Sequence, residues 1–462
     1  MKKMKIIVLL VLFFVQFYAF PLEKAYADEE MKYYTILLKD KNDTREFTEQ
    51  LHLHKGTLVY SVDEVGLVQI KISENNMKQL SSMSLIDTYN PSIRAASSQT
   101  THSVNYSPPS ESLFNHQWDM KAVTNNGESY TVFSGNKNTV VGIIDSGLDL
   151  AHPDLKNNII QGSMNLVPKG GFRGEEISED GDQNYLVDKL GHGTHVAGQI
   201  AGNGRIKGVA PEIGIRAYRV FGEKSADTSW IIKGIVEAAK DDVDVINLSL
   251  GSYLVDGVLF SEDKKLKKGS AEIKAYNKAI QFAKEQGSIV VAAAGNDGLD
   301  VRNQAQMREY LTNIYSKDGI SFFGEVKDIP ADLPDVVTVG SVGPTNQLSI
   351  FSNYGDDFID IVSPGGDYRM LEKYGKDSWV NNRLFMDEQV LSTWPGGYFY
   401  TAGNSIAAPK VSGALALIVD KYKFKNKPDK AVDFLYKYGV DKKYSRNFYG
   451  NGVLNIYKVV NH

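Results

Sequence analysis

The chain has 462 residues, long enough for about two or three domains. Its formal charge is −5, from 51 Lys and Arg against 56 Asp and Glu with no long run of either sign, so neither nucleic acid nor an anionic membrane surface is expected as a partner. It has no cysteine, which excludes disulfides, thiolate metal sites and a cysteine nucleophile.

In chain order, the first 27 residues set the compartment. Lys2, Lys3 and Lys5 precede an uncharged apolar run over residues 6–20, and Ala25-Tyr26-Ala27 has the small-x-small pattern that signal peptidase cuts. An uncleaved anchor is the alternative reading, but the run falls short of the ~20 residues needed to span a bilayer. Residues 457–462 carry no apolar tail or wall-sorting pattern. The expectation is a cleaved signal over residues 1–27 and an exported, extracellular chain with no stable membrane anchor.

Residues 28–94 predict a small α+β unit: a strand over 33–38, a helix over 42–51 with Phe47 and Leu51 one turn apart, and a half-buried strand from the alternation Val68-Gln69-Ile70-Lys71-Ile72. Ser73 then caps a short helix that pairs Met77 with Leu80. Residues 95–110 are rich in Ser, Thr, Asn and Pro, which reads as an exposed linker open to proteolysis. The boundaries are therefore 28–100 for the first domain with its linker and 101–462 for the second.

In the second domain, strands are predicted over 139–144, 215–220, 243–250, 288–293 and 336–342, and helices over 194–201, 228–240, 271–286 and 405–422. This alternation argues a parallel sheet covered by helices on both faces, with the site at the carboxyl ends of the strands. The basic stretch 264–268 reads as a solvated loop.

Four polar segments stand at the ends of these elements. Asp145 closes the run Val140-Val141-Gly142-Ile143-Ile144 and precedes Ser146-Gly147, where a carboxylate serves a turn as readily as catalysis. Gly191-His192-Gly193-Thr194-His195-Val196-Ala197-Gly198 holds two histidines three apart. They could ligate a metal, although HExxH is absent; alternatively the glycines admit close backbone approach at a helix start, leaving His192 exposed as a general base and His195 structural. Ser405, in Gly403-Asn404-Ser405-Ile406-Ala407-Ala408-Pro409, opens a buried helix that tolerates Pro409 only in its first turn. There it is either an N-cap or a nucleophile favoured by the helix dipole. Asn296, in Ala294-Gly295-Asn296-Asp297-Gly298, either forms a turn or donates its amide to an oxyanion.

Acid, histidine and serine come in that order, separated by 47 and 213 residues. Asp145-Ser146-Gly147, His192-Gly193-Thr194-His195-Val196-Ala197-Gly198, Ala294-Gly295-Asn296, and Ser405 followed by Ala407 and Pro409 resemble the signature blocks of the subtilisin family, over residues 118 to about 422. The resemblance implies a subtilisin-like α/β fold, a parallel sheet sandwiched by helices, preceded by a small ferredoxin-like propeptide that inhibits the enzyme intramolecularly. It implies a serine endopeptidase with Ser405 as nucleophile, His192 as base, Asp145 as orienting carboxylate and Asn296 in the oxyanion hole. It further implies that Ser249, Leu250 and Gly251 form an edge on which a peptide substrate pairs as an added strand, with Ala294, Gly295 and Asp297 also lining the substrate site. The chain departs from the family at Asn404, usually Thr, and Ala408, usually Ser or Thr. No cofactor is required for this chemistry. Structural calcium is an open expectation: the loop between Gly198 and Gly208 is shorter than in calcium-clasping members, and the acidic residues of 175–188 are the other candidates.

Two features concern substrate. Asp297 directly follows the oxyanion asparagine, where a carboxylate favours Arg or Lys before the cut, unless it serves only the turn. Arg94 ends the first domain and is the candidate site of propeptide cleavage. The layout of signal, short prodomain, insertions around the triad and no cysteine resembles the leader peptidases that mature lantibiotic peptides, so the expected partner is a lantibiotic precursor leader. A general degradative subtilase is the alternative, and an inactive subtilisin-fold binding module a remote one that loss of a triad member would announce.

Overall fold

The computed structural model describes residues 30–92, 94–96, 104, 112–223, 225–260, 270–315, 321–442 and 444–462. The expected signal at 1–27, most of the linker over 95–110 and the basic stretch at 264–268 lie outside the described residues.

The N-terminal unit runs β1 (Met31–Leu38), α1 (Thr44–Leu53), β2 (Thr57–Val62), β3 (Leu67–Ser73), α2 (Glu74–Leu80) and β4 (Ile86–Pro91), and β5 (Arg94–Ala96) leads out of it. Its sheet is antiparallel in the order β2-β3-β1-β4, a ferredoxin-like arrangement. Ser73 caps α2 by accepting from the amide of Asn76. Ile36, Leu38, Val68, Ile70 and Ile72 pack with Phe47, Leu51, Met77 and Leu80 into the unit's own core.

The second domain continues with α3 (Trp118–Thr124), α4 (Glu128–Val132), β6 (Val140–Asp145), β7 (Met164–Asn165), α5 (His192–Ala201), β8 (Gly214–Arg219), β9 (Ser225–Asp227), α6 (Thr228–Lys240), β10 (Val245–Leu248), β11 (Ser252–Phe260), α7 (Ala271–Glu285) and β12 (Ile289–Ala293). There follow α8 (Gln304–Tyr315), β13 (Ser321–Ile329), β14 (Val336–Val342), β15 (Ile361–Pro364), α9 (Arg369–Tyr374), α10 (Lys376–Asn381), α11 (Phe385–Glu388), β16 (Val390–Trp394), β17 (Gly397–Thr401), α12 (Asn404–Tyr422), α13 (Pro428–Tyr438), β18 (Val440–Asp441) and β19 (Val453–Leu454). A nine-stranded sheet has the order β18-β19-β15-β14-β12-β10-β6-β8-β7. All its pairs are parallel except β18 with β19.

Both faces of this sheet are covered, as its continuous apolar strands require. Val141, Ile143, Val245 and Val291 point to the face of α5 and α12, while Ile144, Ile246 and Val290 point to that of α6 and α7. Pro409 departs from expectation: α12 begins at Asn404, which puts the proline in the second turn. Its missing N–H removes the helical hydrogen bond that residue 409 would otherwise give the Ser405 carbonyl.

The two units are docked. Leu37, Val62, Val65 and Leu67 join the same core cluster as the residues of α6 and α7. Docking corrects the reading of β3 as half-buried: Gln69, polar in the alternation, is 4% exposed because its Nε2 donates to Asp227 Oδ2 at 2.7 Å across the interface. Asn90 likewise donates to Glu272 Oε2 and accepts from the amide of Ala271, at 2.7 and 2.8 Å.

Candidate active site

Asp145 is the last residue of β6, and β6 pairs with β8 on one side and β10 on the other. Strand order therefore reverses beside it, the place where open α/β sheets open a crevice. His192 is the first residue of α5, and both oxygens of Asp145 lie within hydrogen-bonding range of its Nδ1, at 2.8 and 3.0 Å. The glycines are needed here: a Cβ on Gly193 would stand 2.2 Å from the Gly147 carbonyl oxygen, and one on Gly191 would stand 2.2 Å from the Trp394 ring. Burial opposes a charged imidazole at His192, but the charge and hydrogen bond of Asp145, with the charge of Asp188 behind, outweigh it and raise the pKa above the ordinary histidine value.

His195 behaves differently. It is buried, with Nε2 3.2 Å from the Phe399 carbonyl oxygen, and desolvation with the nearby charges of His192 and Lys410 pushes its pKa down to about 3. A neutral ring fixed on a backbone carbonyl is a packing element.

Ser405 sits in the first turn of α12, which packs directly against α5. Its Oγ and the Nε2 of His192 are both buried, and among the described residues neither has a hydrogen-bond partner. Asn296 follows β12 and Ala294, whose amide donates to the Val339 carbonyl at 3.0 Å. A Cβ on Gly403 would lie 3.0 Å from Ser405 Oγ and 3.6 Å from Asn296 Nδ2, so hydroxyl and amide border one small space. Asn404, one of the departures from the family pattern, is integral to this geometry. Its amide donates to Asn296 Oδ1 at 2.8 Å, its Nδ2 donates to the Gly295 carbonyl at 2.6 Å, and its Oδ1 accepts from Ser352 Oγ at 3.0 Å.

The remaining candidates are distributed around this center. Ser249 and Leu250 are buried and Gly251 is exposed, in the turn that carries β10 into β11, and Asn247 Nδ2 donates to Ser249 Oγ at 2.9 Å. Gly295 donates its amide to Asp328 Oδ2 at 2.7 Å. Asp297 is exposed, and its carboxylate accepts from the hydroxyls of Tyr253 and Tyr310. Arg94 opens β5, whose backbone pairs antiparallel with β9 in the register Arg94 to Asp227, Ala95 to Ala226 and Ala96 to Ser225. Further on, Val104 pairs with Tyr400 in β17, the strand that leads into Ser405's helix.

Three contributions escaped the sequence reading. The first is the β9 edge, on which an extended segment of the chain already lies as an added strand. The second is Asp328, the partner of the Gly295 amide. Burial, with the charge of Asp297 adding, pushes its pKa up to about 7 against hydrogen bonds from Asn353 and Gly295. The third is Asp188, which bonds to the start of α5. Of the acidic residues in 175–188, Glu179 is bound by Arg219 and Lys189, and Asp188 by four neighbouring donors. Among the described residues no three His, Asp or Glu side chains are grouped as a metal site.

Residues 136–452 match the subtilase family. The chain is 41% identical over 444 residues to the epidermin leader peptide-processing serine protease of Staphylococcus epidermidis, covering 94% of each. It is 43% identical over 353 residues to the nisin leader peptide-processing serine protease of Lactococcus lactis subsp. lactis, covering 76% of this chain and 50% of that one. The crystal structure of the epidermin leader peptide processing serine protease from Staphylococcus aureus superposes with a TM-score of 0.82 at 40% identity, covering 94% of this chain and 98% of that one. The chain belongs to the subtilase family and is a serine endopeptidase.

Proposed function

We propose that this endopeptidase is exported and removes the leader from a lantibiotic precursor by cutting after a basic residue. The observation that carries the reading is the similarity, end to end, to a protease named for processing the epidermin leader. The exposed carboxylate of Asp297, next to Asn296, and the buried carboxylate of Asp328, which accepts from the Gly295 amide, support a cationic side chain before the cut.

In this reading Ser405 Oγ attacks the scissile carbonyl while His192 Nε2 takes its proton, and the imidazolium then returns that proton to the leaving amine. Asp145 holds Nδ1–H, which fixes the tautomer and stabilises the charged ring. The oxyanion is held by Asn296 Nδ2 and by the amide of Ser405, which has no carbonyl four residues back within its helix. Water completes the second half of the reaction by the same route in reverse. Substrate pairs as a strand along β9 and the turn of Ser249, Leu250 and Gly251.

The N-terminal unit acts as the propeptide. Its last strand already lies on β9, where substrate would pair, and its sheet covers α6 and α7. The maturation cut falls between the two pinned points at Arg94 and Val104, with Arg94 itself as the basic candidate.

Incubating the mature enzyme with a synthetic lantibiotic precursor and weighing the fragments tests the reading. One cut after Arg or Lys at the leader junction is expected. Many cuts, with equal preference for apolar residues before the bond, would point instead to a degradative subtilase.

A further inference from the structure

Behind Asp145 lies a second buried carboxylate that the triad chemistry does not use. Asp188 precedes α5 and accepts four hydrogen bonds: from Ser146 Oγ and the Gly191 amide on Oδ1, both at 2.7 Å, and from the Thr194 amide and Oγ on Oδ2, at 2.8 and 2.7 Å. Its acceptor sites are thereby filled. Three of the four donors belong to the backbone and first turn that carry His192, and the fourth comes from the residue directly after Asp145. The two segments are pressed together, since a Cβ on Gly147 would stand 3.1 Å from the Asp188 Cα.

Ser146 links the two acids. Its Oγ lies 2.7 Å from Asp188 Oδ1 and 3.1 Å from Asp145 Oδ1, and it accepts from the amide of Gly193 at 2.9 Å. A hydroxyl has one proton to give, so it cannot serve both carboxylates at once. The shorter contact is to Asp188. With the hydroxyl proton directed there, Asp145 Oδ1 keeps the Ser146 amide at 2.7 Å and the His192 ring at 2.8 Å as its donors.

We infer that Asp188 is a positioning residue for this active site, holding the Asp145–His192 pair in register through Ser146 and the first turn of α5 while adding a second negative charge behind the histidine. The inference rests on the assignment of Asp145 and His192 to the catalytic triad. Its consequences follow from geometry and charge. Releasing the start of α5 loosens the distance between His192 and Asp145, and small misplacements of a catalytic group cost about 10²-fold. Removing a charge that favours the imidazolium lowers the pH at which His192 becomes neutral and able to act as base.

The test is the pH profile of kcat/KM on one fluorogenic peptide for wild type, Asp188→Asn, Asp188→Glu and Ser146→Ala. Asp188→Asn is expected to lose about 10- to 100-fold in kcat with little change in KM, and its acid limb is expected at lower pH than in wild type. Asp188→Glu keeps the charge, so its limb stays near that of wild type. Ser146→Ala deletes the bridge without removing charge, so kcat falls while the limb stays; it also serves if Asp188→Asn does not fold. An Asp188→Asn enzyme with wild-type kcat and limb, or a Ser146→Ala enzyme with wild-type kcat, overturns the inference. Failure of the triad assignment is distinguishable, because Ser405→Ala would then still cleave the same peptide.

Discussion

The amide of Asn404 donates to Oδ1 of Asn296 at 2.8 Å, so the residue before Ser405 fixes the side chain proposed for the oxyanion hole. With its oxygen held by that amide, the side chain of Asn296 borders the space above Gly403 that it shares with Ser405 Oγ. An asparagine at 404 in place of the usual threonine also ties down the Gly295 carbonyl. Asn296→Ala is expected to lower kcat by about 10²–10³ with little change in KM, the cost measured for such a donor in subtilisin itself. Steady-state kinetics on a short peptide checks this, and a variant that lost affinity but not turnover would place Asn296 outside the oxyanion hole.

The pair Asp297 and Asp328 predicts a pH-dependent preference. Asp328, pushed up to about 7, is largely neutral in mildly acidic solution and ionises as pH rises through neutrality. A neutral carboxyl attracts a cation weakly and an ionised one strongly. The ratio of kcat/KM for a peptide with Arg before the cut to that for its Leu counterpart should therefore rise between about pH 6 and 8. The ratio cancels the titration of His192, which affects both peptides alike. Asp328→Asn should flatten it; a ratio constant across this range in wild type would remove Asp328 from specificity.

Stability has its own test in the loop before α5. Arg219 and Glu179 are both fully buried and joined by two parallel hydrogen bonds of 2.8 Å, with Asn165 Oδ1 a third acceptor for the guanidinium at 3.1 Å. Glu179→Gln leaves that guanidinium buried without its counter-charge and should cost about 3–5 kcal/mol. Denaturant unfolding in a Ser405→Ala background, where self-digestion does not interfere, measures it. A loss well under 1 kcal/mol would mean that the loop reorganises to admit water.

What was legible in the sequence follows from the range of the interactions involved. Helix α6 was predicted over 228–240 and β14 over 336–342, and both are found there, because their own apolar spacing against the sheet sets their limits. Asp145, His192, Ser405 and Asn296 stand out as candidates at the ends of regular elements, but each alone also reads as a turn, cap or packing residue, and the roles proposed for them come from their joint order and the resemblance to the subtilisin blocks. Asp188 was not: its four donors come from Ser146, Gly191 and Thr194, and only the fold brings residue 146 to residue 188. Asp328 was hidden for the same reason, lying in a strand whose pairing with Tyr253 and bond to Gly295 no local pattern encodes. The buried face of β3 was misread because a second domain covers it, and periodicity within one strand reports only which side is polar.

Ser405 is proposed as the nucleophile that also frees the enzyme from its own N-terminal unit. Intact mass measurement of the expressed wild-type chain and of Ser405→Ala tests this most directly. The wild type is expected to lose a fragment ending between residues 94 and 104, while Ser405→Ala keeps every residue after the signal. A Ser405→Ala chain that still releases that fragment by itself, or a wild type that stays full length and is nonetheless active, would contradict the account.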